Sequence, residues 1–146
     1  MWLNAVISRR ALGGRACIPI RVMLFAVSAG NVLLERRDGA LRLPETWLEE
    51  GETICEAARR YAAGIASDPS SVKPVAVVWF TEDTSEGYTI VFAVEVFMDS
   101  EPRDQKRYIM LNVGDAVKLV DEPLHRRFLE TMYLFKPRPL LVCNPP

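Results

Sequence analysis

Residues 43–60 read Leu-Pro-Glu-Thr-Trp-Leu-Glu-Glu-Gly-Glu-Thr-Ile-Cys-Glu-Ala-Ala-Arg-Arg, and they decide the fold. The stretch opens as a loop, with Pro44, then the acids Glu49 and Glu50, then Gly51. From Thr53 the pattern changes. Ile54, Ala57, Ala58, Tyr61, Ala62 and Ile65 recur at i, i+3, i+4, i+7, i+8 and i+11. That is the apolar stripe of an amphipathic helix. The spacing predicts a helix over 53–63, stopped by Gly64 as a left-handed cap. Alanines on the stripe predict close contact with a sheet.

Upstream, residues 18–27 are rich in branched and aromatic side chains and read as a strand. Ser28-Ala29-Gly30-Asn31 is a turn, and residues 32–37, Val-Leu-Leu-Glu-Arg-Arg, return as a second strand. A short extended piece over 41–44 leads into the loop. Downstream, residues 74–81 and 88–98 read as strands joined by the polar turn 82–87. The run 88–98 is almost continuously apolar, which predicts burial on both faces. Residues 107–112 form a shorter strand, and 114–120 a helical turn. The last helix begins at Asp121 or Glu122 with Pro123 in its first turn. Leu124, Phe128, Met132 and Phe135 repeat at helical spacing before Pro137 and Pro139 end it. The order is strands, helix, strands, helix. It specifies a mixed sheet flanked by helices, either α+β or a small α/β/α sandwich.

The chain has 146 residues, one domain's worth, with 49% hydrophobic and 25% charged residues, so it buries an ordinary core. Eighteen bases against 19 acids give a net charge of −1, which leaves no strong basic field to drive non-specific nucleic-acid binding. No apolar run reaches membrane-spanning length. Cys17, Cys55 and Cys143 form no CxxC pair and are odd in number, so the expectation is reduced structural cysteines in a cytoplasmic protein. Residues 1–34 contain no acid and carry Arg9, Arg10, Arg15 and Arg21. An organellar transit peptide has that character, and import is the alternative to a cytoplasmic location. We read 1–17 as an N-terminal extension or strand of a single domain, and 137–146 as an extended tail.

The quoted stretch resembles the box of the Nudix hydrolases, GX5EX7REUXEEXGU, with its Leu-Pro lead-in at Leu43-Pro44. Glu49, Gly51, Glu52, Thr53, Ala57, Ala58 and Arg60 match common family choices. Glu52 to Arg60 has the E-X7-R spacing. The Val-Leu-Leu-Glu-Arg-Arg strand before the box and the Leu124-His125-Arg126-Arg127 segment also look like the family, so the similarity covers residues 20–135. It implies the Nudix fold, an α/β/α sandwich with a mixed sheet between helices, over a single domain 1–146.

The same resemblance implies an activity that the residues do not carry. The family holds Mg²⁺ or Mn²⁺ on the carboxylates of R-E-U-X-E-E. The matching positions here are Tyr61, Gly64 and Ile65. The box's opening glycine is Thr46, its later glycine Ser67 and its last aliphatic residue Asp68. Phosphoanhydride cleavage by water needs hard cations, and hard cations need converging carboxylate oxygens. A phenol, a hydrogen atom and an alkyl group on one helix face supply none.

The expected function is therefore a Nudix-fold protein without metal-dependent pyrophosphohydrolase activity. It would bind a nucleotide-like ligand or a protein partner, as a monomer or a homodimer, with no cofactor, nucleic acid or membrane. The alternative is a divergent hydrolase of nucleoside diphosphates linked to another moiety, with Mg²⁺ or Mn²⁺ on Glu49, Glu50, Glu52 and Glu95. As remnants of the box, Glu49, Glu52 and Arg60 are candidate site residues, Glu52 and Arg60 as a structural link between loop and helix. Glu56 is expected to pair with Arg59 or Arg60. Glu95 interrupts an apolar strand on the side shared with Val91, Ala93 and Phe97. Tyr61, Trp47, Trp79 and Tyr88 are candidates for stacking on a base. His125 is expected at the surface. Tyr61, as part of the stripe, is expected to fill the former cleft.

Overall fold

The computed structural model describes residues 18–143. Residues 1–17, with the expected N-terminal extension and Cys17, lie outside the described residues, as do 144–146. The strands are β1 (Ile20–Ser28), β2 (Asn31–Arg37), β3 (Ala40–Arg42), β4 (Glu45–Trp47), β5 (Val72–Asp83), β6 (Thr89–Met98), β7 (Tyr108–Asn112) and β8 (Leu141–Val142). The helices are α1 (Ile54–Ile65), α2 (Val113–Leu119) and α3 (Pro123–Leu134).

The strands form one mixed sheet in the order β3-β2-β1-β6-β5-β8, with β4 on β1 and β7 on β2. β1 and β6 run parallel from Ile20↔Ile90 to Val27↔Phe97, at the centre. Helices cover both faces there, so β6 buries Phe92, Val94 and Val96 on one side and Val91 and Ala93 on the other. That two-sided burial is why its sequence lacks alternation.

Two cores result. On one face Ile54, Ala57, Ala58, Ala62 and Ile65 of α1 pack on Val22, Leu24, Leu33, Val77, Phe92 and Val94. On the other, Phe128 and Leu129 of α3 and Ala116 of α2 pack on Met23, Phe25, Val32, Ala76, Val78 and Ala93. Phe128 anchors this side, its ring 5.2 Å from Phe25 and 5.3 Å from Trp79. The α/β/α sandwich expected from the element order is the observed one.

Several expectations are corrected. Gly64 does not end α1; it lies inside the helix, whose cap is the extended Ala66, with its N–H on the Ala62 carbonyl. The apolar stripe through Ile65 outweighs the single glycine. The piece around 41–44 is two strands, β3 and β4, separated by Pro44, which has no N–H to donate. Residues Val113–Leu119 form two helical turns, because the Asn112 side chain caps them. The tail is not merely draped. Leu141 and Val142 pair with Val77 and Ala76 of β5.

The expectation of reduced cysteines is overturned. Cys55 in the first turn of α1 and Cys143 after β8 form a disulfide across 88 residues of sequence. Odd number and spacing gave no hint of it, since only the fold brings the tail beside α1.

Candidate functional site

The loop from Trp47 to Glu52 turns back on itself at Gly51, whose φ of +82° suits glycine. Its end is fastened to α1. Arg60 donates from Nε to Glu52 Oε2 at 2.7 Å and from Nη2 to Glu52 Oε1 at 3.1 Å, a two-point contact. Arg60 also donates to the Trp47 carbonyl at 3.3 Å, and the Glu49 N–H donates to Glu52 at 3.2 Å. Arg60 therefore holds the Glu52 carboxyl below its usual range. Glu49 lies 3.9 Å from Arg60 and is exposed. Glu56 does not pair with Arg59 or Arg60. It closes a capping box with Thr53, accepting the Thr53 N–H at 2.8 Å while Thr53 Oγ1 accepts the Glu56 N–H at 3.0 Å.

The three positions that match the family's metal carboxylates do not form one open face. Ile65 is buried in the α1-side core, and Gly64 is exposed. Tyr61 is half-buried, with its phenol near that of Tyr108. Beside the two phenols lies Glu35, 3% exposed, which accepts from Arg107 at 2.7 and 2.8 Å. Burial, then Tyr108 and Glu35, push the Tyr61 phenol well above its ordinary value. Burial raises Tyr108 too, with Arg107 opposing. The expected filling of the cleft by Tyr61 is thus partial.

The loop after β6 closes the far end of α1. Ser67 donates to the Glu101 carbonyl at 2.8 Å, Arg103 N–H to the Ile65 carbonyl at 2.8 Å, and the Arg103 guanidinium to Ala66 at 3.3 Å. Those contacts satisfy carbonyls that a helix end leaves open.

The remaining candidates are scattered. Glu50 is exposed in the loop. Glu95 lies between Phe25 and Ala76 in the register, both members of the α3-side core, so it occupies the opposite face of the sheet from Tyr61. Trp79 packs on the α3 side, with the Arg127 guanidinium 5.5 Å from its ring. Trp47 is 56% exposed. Tyr88 is exposed and donates to Glu82 at 2.8 Å, which raises its pKa. Tyr61 and Trp79, on opposite faces, cannot stack on one ligand.

His125 is not a surface residue. It is 1% exposed, in the first turn of α3. Its Nδ1 accepts the Leu43 N–H at 3.0 Å, which makes it the neutral imidazole with the proton on Nε2. Nε2 lies 3.0 Å from Glu45 and 3.5 Å from Glu122. Glu45 also pairs with Arg42 and, at 3.5 Å, with Arg21, which bonds Asp83. Burial raises the Glu45 carboxyl, but His125, Arg21 and Arg42 together outweigh it and hold the group below its usual value. This network ties the Leu-Pro lead-in to α3 and β1.

Sequence reading missed Glu35, Tyr108 and Arg107 around Tyr61. The signal was present: Glu35 stands two residues after buried Leu33 on the same strand face. Its partners become visible only once β7 pairs with β2, placing Tyr108 opposite Glu35.

A divalent cation, which this architecture implies, does not fit the α1 face. Tyr61, Gly64 and Ile65 bring one phenol oxygen and no carboxylate. Among the described residues no three His, Cys, Asp or Glu side chains converge as a metal centre.

No family model matches the chain, and no curated protein matches it. Solved structures do. The dihydroneopterin triphosphate pyrophosphohydrolase of E. coli is 16% identical, with a TM-score of 0.60, over 78% of this chain and 92% of that one. A Nudix hydrolase from Nitrosomonas europaea is 18% identical, with a TM-score of 0.65, over 84% and 93%. The Nudix domain of Shewanella oneidensis NrtR, complexed with ADP-ribose, is 15% identical, with a TM-score of 0.59, over 80% and 85%. The chain has the Nudix fold.

Proposed function

We propose that this Nudix-fold chain carries out no metal-dependent phosphoanhydride hydrolysis on α1, and that it binds a nucleotide-like ligand or a protein partner instead. The observation that carries this reading is the replacement of the metal-bearing face by a Tyr61–Tyr108 pair over buried Glu35, with Ile65 in the core. The ADP-ribose complex of a similar domain supports the nucleotide-like ligand. Monomer and homodimer both suit the reading.

Likeness to a pyrophosphohydrolase favours a second reading, a divergent hydrolase with metal on Glu49, Glu50, Glu52 and Glu95. Two positions weigh against it. The Glu52 carboxylate is engaged by Arg60, and Glu95 lies across the sheet. The test is a panel of nucleoside di- and triphosphates and nucleotide sugars with Mg²⁺ and with Mn²⁺. Binding without product release is expected; turnover abolished by Glu52→Gln establishes the second reading.

Among the described residues no helix is long and apolar enough to cross a membrane. We propose a cytoplasmic location, where the Cys55–Cys143 bond would be reversible rather than permanent.

A further inference from the structure

We propose that Cys55 and Cys143 are a reversible thiol–disulfide site, a latch that holds the C-terminal tail on the sheet and is opened by a dithiol reductant attacking Cys55. The two ends of the bond are held very differently. Cys55 belongs to a twelve-residue helix fixed by its own capping box and by five buried side chains in the core. Cys143 follows a strand of two residues. That strand meets β5 at two positions, with the Leu140 N–H on the Val77 carbonyl at 2.8 Å and the Cys143 N–H on the Val75 carbonyl at 2.8 Å. Leu141 is half-buried against the α1-side core, while Leu140 and Val142 are exposed. Opening the bond therefore leaves α1 in place and removes the main tether of the tail.

The direction of attack follows from access. Cys143 is 5% exposed, whereas Cys55 is partly exposed in the first turn of α1, so its sulfur is the one a reductant can reach. A thiolate of the reductant attacks Cys55 Sγ; the S–S bond breaks and its electron pair leaves on Cys143, which takes up a proton. The reductant's second thiol then attacks its own mixed-disulfide sulfur. Cys55 leaves as a thiolate and is protonated, and the reductant is released as a disulfide. Two electrons pass from the dithiol to the cystine. Release of the tail turns β5 into the sheet edge over Val75 to Val77, an unpaired row of backbone groups.

The test uses the full chain, oxidised with glutathione disulfide and then reduced with dithiothreitol, followed by amide hydrogen exchange. Reduction is expected to speed exchange in residues 137–143 at least tenfold, with β1, β6 and α1 unchanged, and Cys143→Ser should reproduce that pattern without reductant. Limiting glutathione should give a mixed disulfide on Cys55. Tail protection unchanged by reduction, unfolding of the whole domain on reduction, free thiols persisting at Cys55 and Cys143 in glutathione disulfide, or an adduct on Cys143 would each overturn the proposal.

Discussion

The two faces of the sheet differ in how much charge they bury and in what partners it. On the α3 side, Glu45 and His125 are buried among Arg21, Arg42, Asp83 and Glu122, and close partners surround them. On the α1 side, the positions that the motif resemblance matches to metal-binding carboxylates hold Tyr61, Gly64 and Ile65, and the Glu52–Arg60 ion pair is at the surface. A buried carboxylate is tolerated only with a partner, whether cation or metal ion. On the α3 side the Glu45 carboxylate has two cations from the chain itself, Arg21 and Arg42, with His125 beside them. On the α1 side the chain supplies one such cation, Arg107, and buried Glu35 already takes it.

The comparison breaks most sharply at Glu45. Glu45→Ala leaves Arg21 and Arg42 facing each other without their shared carboxylate, and should cost about 3 kcal/mol or more by urea unfolding. The pH dependence has a definite sign. The folded Glu45 carboxyl is held below its usual value, so its contribution is complete above the unfolded value of about 4.3 and is lost as pH falls through the folded one. The unfolding midpoint of the parent should fall more steeply below about pH 5 than that of Glu45→Gln.

Next comes the reverse experiment on the other face. Tyr61→Glu places a carboxylate beside buried Glu35 and should cost about 2–3 kcal/mol at neutral pH. Burial and Glu35 raise the new group's pKa, so the penalty is full above that value and shrinks as acid protonates it. A melting temperature within a degree or two of the parent at pH 7 would contradict the packed α1 face. A smaller loss, about 0.5–1 kcal/mol and weakened by salt, is expected for Arg60→Ala, because that pair is exposed. The smallest effect is a gain. Gly64 has no atom within 4 Å of an added Cβ and ordinary helical backbone, so Gly64→Ala should stabilise by about 0.5–1 kcal/mol in a thermal melt.

These predictions also mark what was legible in the sequence. The α1 stripe, the two-sided strand β6 and the proline start of α3 are local patterns, and the sandwich follows from them. The identities at 61, 64 and 65 were equally legible, because they need no structure. What surrounds those positions was not. Tyr108 and Arg107 reach Tyr61 only through the β2–β7 pairing, 47 and 46 residues away in sequence. The burial of His125 and the Cys55–Cys143 bond likewise depend on which loop each helix faces. A lone histidine in a first turn carries no periodic signal, and a cysteine three residues from the chain end carries none either.

The most direct measurement is calorimetric titration of the chain with Mn²⁺ at neutral pH. With a phenol, a hydrogen atom and a buried alkyl group on α1, no site tighter than millimolar is predicted. A micromolar site that Glu52→Gln removes would contradict the account and return the chain to the metal-dependent hydrolases.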